Sequence, residues 1–122
     1  MEAKGKILLV NSDLMDLTIT AMLFTLYGYT VFSAKDNTIA EKHLQSNPTD
    51  IIICDLPVTN YDGLEFIGYI RNNNLSKAPV IITSALPVEK IMPDNTLMID
   101  YFPKPFLFED LLDKVKEMNL LV

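Results

Sequence analysis

Apolar positions fall along this chain in two rhythms: short unbroken runs, and longer stretches that repeat every three to four residues. Ile7-Leu8-Leu9-Val10 and Ile51-Ile52-Ile53-Cys54 are unbroken runs, the pattern of strands covered on both faces. Thr30 to Ala34, rich in β-branched and aromatic residues, predicts a strand between them. Pro79 opens a fourth, Val80-Ile81-Ile82-Thr83, which ends in Ser84-Ala85, and Leu97 to Phe102 predicts a fifth. The intervening stretches have helical spacing. Ser12 or Asp13 caps the first helix, with Asp16 three residues after Asp13 in capping-box position. That helix runs to about Tyr27 and ends at Gly28. The second carries Ile39, Ala40, His43 and Leu44 on one side and closes at Asn47-Pro48. The third spans Leu64 to Asn72, and the last presents Leu111, Leu112, Val115 and Met118 on one face.

Strands alternating with helices predict an α/β fold, a five-stranded parallel sheet covered by helices on both faces. The fourth helical slot is irregular. It must fit around Pro87 and Pro93, and a proline in a helix interior costs about 3 kcal/mol. A short or degraded fourth helix, near Val88 to Met92, is expected. No repeat, linker or low-complexity segment interrupts the pattern, so residues 1–122 read as a single domain.

Composition narrows the function classes. Sixteen acidic residues against ten basic ones give a net charge of -6, and the basic residues are scattered. Binding DNA or RNA needs a basic patch to neutralise phosphates, so a nucleic-acid partner is not expected. The lone cysteine, Cys54, excludes an internal disulfide and fits a reducing cytoplasm. From Leu17 to Ala34 no residue is charged, but four threonines, two tyrosines and Gly28 make the stretch too polar to span a membrane.

The candidate chemistry lies at the strand ends, where open α/β sheets place their sites. Asp55 ends the third strand. Asn11-Ser12-Asp13 follow the first, Ser84 the fourth and Lys104 the fifth. One carboxylate, one hydroxyl and one ammonium at a common edge suit a phosphoryl group: the carboxylate as nucleophile, the other two as partners for phosphoryl oxygens.

With Asp50-Ile51-Ile52-Ile53-Cys54-Asp55-Leu56, Asp62-Gly63-Leu64-Glu65, Val80-Ile81-Ile82-Thr83-Ser84-Ala85 and Tyr101-Phe102-Pro103-Lys104-Pro105-Phe106 in this order and at these separations, the chain resembles a CheY-like receiver domain of two-component response regulators. The resemblance covers nearly the whole length. It implies a doubly wound, flavodoxin-like (βα)5 three-layer sandwich that acts as a switch rather than an enzyme. Asp55 would accept a phosphoryl group from a histidine kinase or phosphotransfer protein and pass the signal to a protein target or output domain. It further implies that Ser84 contacts the phosphoryl oxygens, that Lys104 pairs with them, and that Tyr101 is an aromatic switch. The Lys104-Pro105 peptide is expected to be cis, from the family pattern and the extended bias before proline.

One departure matters. The family places two acidic residues directly after strand one, where they hold Mg²⁺ beside the acceptor aspartate. Here those positions are Asn11 and Ser12. Mg²⁺ requires carboxylate oxygens in tight octahedral geometry, so weak or absent Mg²⁺ binding is expected. Asp55, the Pro57 carbonyl and Asp13 are the remaining candidate ligands, with Asp13 read first as a helix cap.

Other readings compete. A pseudo-receiver working as an interaction module without phosphorylation is favoured by Asn11-Ser12. A haloacid dehalogenase-type phosphatase is suggested by Asp55-Leu56-Pro57-Val58-Thr59, but Pro57 replaces its general acid and its nucleophile belongs on the first strand. A flavin-binding module lacks its Ser/Thr-rich phosphate loop after strand one. His43 reads as a partly exposed helix residue rather than a phosphotransfer histidine, and Cys54 as a small buried hydrophobe. The first helix, apolar nearly all round, is either deeply buried or offers a partner surface.

Overall fold

The computed structural model describes residues 4–56, 62–85 and 99–119. Its five strands are β1 (Lys6–Val10), β2 (Thr30–Ala34), β3 (Ile51–Asp55), β4 (Val80–Ser84) and β5 (Ile99–Pro103). All pair in parallel, in the order β2-β1-β3-β4-β5. The four helices among the described residues are α1 (Leu14–Leu26), α2 (Asn37–Ser46), α3 (Asp62–Asn72) and α4 (Phe108–Asn119). The short helix expected near Val88 to Met92 lies outside the described residues, as do Pro57 and the first residues of the expected fifth strand.

Unbroken apolar runs form the centre because both sheet faces are covered. Leu8, Val10, Ile52, Cys54, Val80 and Ile82 point into one core with residues of α2 and α3. Ile7, Leu9, Ile51, Ile53 and Ile81 point into the other with residues of α1 and α4. Each such side chain, taken fully from water, contributes roughly 1.5–3 kcal/mol. Phe24 anchors the second core, edge-on to Tyr29 at 5.7 Å and to Phe108 at 4.8 Å.

Helix ends follow local chemistry. Asp13 caps α1, accepting from Met15 N at 3.1 Å and Asp16 N at 3.2 Å, and Asp36 caps α2 by accepting from Ile39 N at 2.9 Å. The capping box expected of Asp16 is replaced by a different arrangement: the Asp13 N–H donates to Asn11 Oδ1 at 2.9 Å, which leaves the Asp16 carboxylate to other work. Gly28 ends the α1 turn at φ +97°, a conformation that side chains rarely adopt. Arg71 closes the α3–β4 loop, donating to the carbonyls of Ser76 and Ala78 at 2.8 and 2.6 Å.

The two alternatives left open for α1 are decided by its rotation. Leu17 and Phe24 are buried, whereas Leu14, Met15, Ile19, Met22 and Leu26 are exposed. Among the described residues no helix is long and apolar enough to cross a membrane.

Candidate functional site

Strand order places the site. β1 lies between β2 and β3, so the direction of winding reverses beside β3, and the carboxyl end of β3 opens on the resulting crevice. Asp55 is the last residue of β3, half-buried, and its Oδ1 forms an ion pair with Lys104 Nζ. The Lys104 backbone N–H donates to the Ser84 carbonyl at 2.8 Å, which ties the β5–α4 connection to the end of β4. The Lys104–Pro105 peptide is cis.

The hydroxyl that meets the Asp55 carboxylate is that of Thr83. Its Oγ1 donates to Asp55 Oδ1 at 2.9 Å. Asp55 and Thr83 are register partners across β3 and β4, and neighbours at one register position leave a sheet on the same face. Ser84, one residue on, alternates to the other face with Val80 and Ile82 and is fully buried. Tyr101 shares that side: it is half-buried against the core that holds Ile82, and its hydroxyl donates to the Ser84 carbonyl at 3.3 Å. The structure therefore brings Asp55 and Lys104 into contact and joins Ser84 to Tyr101. Thr83 is the hydroxyl the sequence reading passed over, and two consecutive hydroxyl residues at a strand end were its signal.

Across the crevice stands Asn11, buried at the end of β1. Its Nδ2 donates to Asp16 Oδ2 at 2.8 Å, and Thr20 Oγ1 lies 3.5 Å from Asp16 Oδ1. A cavity of about 190 Å³ opens between these groups and Asp55, floored by Leu17, Ile53 and Phe106. Ser12 is exposed. Beneath Asp55 the Cys54 thiol is pushed up to about 12, first by burial and then by the Asp55 charge, so it stays protonated and packs as an apolar group. His43 lies on α2, half-buried and stacked on Phe32 at 4.0 Å, and burial lowers its pKa.

The profile of the response regulator receiver domain family matches residues 7–116. The chain belongs to that family. Among relatives of this receiver, the CAI-1 autoinducer sensor kinase/phosphatase CqsS of Vibrio cholerae is 31% identical over 114 residues, which cover 90% of this chain and 17% of that protein. The transcriptional regulatory protein BasR of Escherichia coli is 29% identical over 93% of this chain and 51% of its own length. The receiver thus spans about half or less of the length of these two relatives. Among solved structures, the receiver domain of the Francisella response regulator 1452 superposes with a TM-score of 0.83 at 26% identity, covering 95% of this chain and 97% of that one. The chemotaxis response regulator CheY4 of Vibrio cholerae superposes at 0.81 with 25% identity, covering 97% and 99%. Receivers are signalling domains that work with histidine kinases and output domains.

Receivers hold Mg²⁺ in an acidic pocket, and among the described residues the donor set does not fit that arrangement. Asn11 offers an amide whose two ends already bond Asp13 and Asp16, Asp13 is occupied as a helix cap, and Asp55 faces an ammonium. Among the described residues no group of three or more His, Cys, Asp or Glu side chains is placed to hold a metal ion.

Proposed function

We propose that this receiver is a phosphoacceptor switch in which Asp55 takes a phosphoryl group from a histidine kinase or phosphotransfer protein, with Mg²⁺ binding weakened by Asn11 and Ser12. The supporting observation is the ion pair of Asp55 with Lys104 at the mouth of the crevice. A carboxylate held there keeps a lone pair for phosphorus, and the ammonium stands ready to neutralise charge on the phosphoryl oxygens. Lys104 then exchanges Asp55 for the phosphoryl group. For Ser84 to serve the same group its hydroxyl leaves the buried face that it shares with Ile82, and Tyr101, hydrogen-bonded to the Ser84 carbonyl, follows it inward. The signal passes to a protein target or an attached output domain.

Incubation with phosphoramidate, read by intact mass with and without Mg²⁺, tests this. One added phosphoryl group, absent from Asp55→Asn and little changed by Mg²⁺, is expected. No addition under any condition would overturn the reading.

A second reading, a pseudo-receiver that binds its partner without phosphorylation, is favoured by Asn11, whose side chain is closed off by Asp13 and Asp16. Partner binding that is identical for the parent and Asp55→Asn, in a chain that takes no phosphoryl group, is its signature.

A further inference from the structure

We propose that Thr83 is a positioning residue for the acceptor: it holds Oδ1 of Asp55 so that Oδ2 attacks phosphorus, and it shortens the life of the acyl phosphate formed. This rests on the phosphoacceptor reading of Asp55 above. Thr83 and Asp55 are register partners, so their side chains stand side by side on one face. Thr83 is 5% exposed, and its hydroxyl donates to Oδ1 at 2.9 Å. A buried β-branched side chain is stiff at χ1, so the hydroxyl is aimed in advance. Lys104 Nζ contacts the same Oδ1. Two donors on one oxygen orient the carboxylate, and Oδ2 belongs to neither contact. Asp55 and Thr83 both border the cavity through which a donor reaches them.

With phosphoramidate as donor, an Oδ2 lone pair forms the O–P bond. The P–N bond breaks, its electrons return to the already protonated nitrogen, and ammonia leaves. Oδ1 becomes the carbonyl oxygen of the acyl phosphate and keeps the Thr83 hydrogen bond. In hydrolysis water attacks phosphorus, the O–P bond electrons return to Oδ2, and both water protons leave with the phosphate. Charge thus returns to the carboxylate as the bond breaks. A hydrogen bond to a charged oxygen is roughly twice as strong as one to a neutral carbonyl, so the Thr83 hydroxyl assists this step. It acts through Asp55, without touching the phosphoryl group.

The test compares the parent with Thr83→Val, which keeps the branched shape and loses the hydroxyl, and Thr83→Ser, which keeps the hydroxyl. Each is loaded with phosphoramidate, the donor is removed, and the phosphorylated fraction is followed by intact mass. Thr83→Val should lengthen the phosphoryl lifetime roughly three- to tenfold, and Thr83→Ser should stay within about twofold of the parent. A merely structural role would shorten the lifetime or lower loading, and serine would not rescue it. If valine does not fold, Thr83→Ala against Thr83→Ser gives the same comparison. Equal lifetimes in a parent that loads normally, or a serine variant that behaves like valine, would overturn the proposal while sparing the phosphoacceptor reading. A parent that takes no phosphoryl group would remove that reading and this one with it.

Discussion

Replacing Asn11 by aspartate probes the proposal that Asn11 weakens Mg²⁺ binding in this receiver. In the parent the Asn11 amide donates to Asp16 at 2.8 Å while its carbonyl oxygen accepts from Asp13 N–H. An aspartate keeps the second bond and loses the first, a hydrogen bond to a charged group that contributes about 1.5–3 kcal/mol. It also sets a second carboxylate against Asp16. At about 4 Å and an effective dielectric of 20 that repulsion is about 4 kcal/mol. Asp16 is exposed, however, and water and salt reduce the cost to about 1 kcal/mol. Asn11→Asp should therefore destabilise the metal-free chain by about 3 kcal/mol, lowering its melting temperature by roughly 10 °C. The new carboxylate faces the same crevice as Asp55, and a Mg²⁺ ion bound between them, at a free concentration of about 100 times its Kd, would restore about 2.7 kcal/mol. Thermal melts in EDTA and in magnesium chloride, for parent and variant, measure both terms. If the variant melts with the parent in EDTA, the hydrogen-bond argument fails. If Mg²⁺ raises both proteins equally, Asn11 is not what limits metal binding.

Three further outcomes are expected. Phe24→Ala, at the junction of Tyr29 and Phe108, should cost about 3–5 kcal/mol in urea denaturation, and a loss below about 1 kcal/mol would contradict the packing described. Lys104→Met removes the ammonium from a carboxylate whose side chain is only 13% exposed; stability should fall by on the order of 1–2 kcal/mol and phosphoramidate loading should slow, whereas unchanged loading would exclude Lys104 from the chemistry. Burial lowers His43 below its ordinary 6.5, so near that pH the unfolded chain binds more protons than the folded one. The His43 contribution is then complete above pH 6.5 and is lost as pH falls through that value toward the lowered one; His43→Gln should flatten this part of the stability profile, and an identical profile would refute the assignment.

The order and type of the elements were legible because their signals are local. Ile7 to Val10 and Ile51 to Cys54 have no polar position to turn outward, and Gly28 stands where the chain needs a positive φ. Asp55 and Lys104 could be paired from sequence because both follow strands whose carboxyl ends share one edge. The capping box was misread because Asp13 N–H had a rival acceptor two residues back, in Asn11. Propensity and spacing do not rank two acceptors for one donor.

The linear sequence determined the parallel five-stranded sheet, the Asp55 carboxylate at its edge and the neutral Asn11 and Ser12 after β1, since each follows from residue type at a strand end. Tertiary structure alone decided which side of α1 faces water and which hydroxyl meets Asp55. Helical periodicity cannot orient a helix that is apolar nearly all round; only the position of its axis over the sheet turns Leu17 and Phe24 inward and Met15 and Met22 out. Thr83 and Ser84 are equally good hydroxyls in sequence. Side chains alternate with a period of two, so a slip of one residue in the β3–β4 register would exchange them. The observed pairing of Asp55 with Thr83 sets threonine on the Asp55 carboxylate and turns serine toward Tyr101.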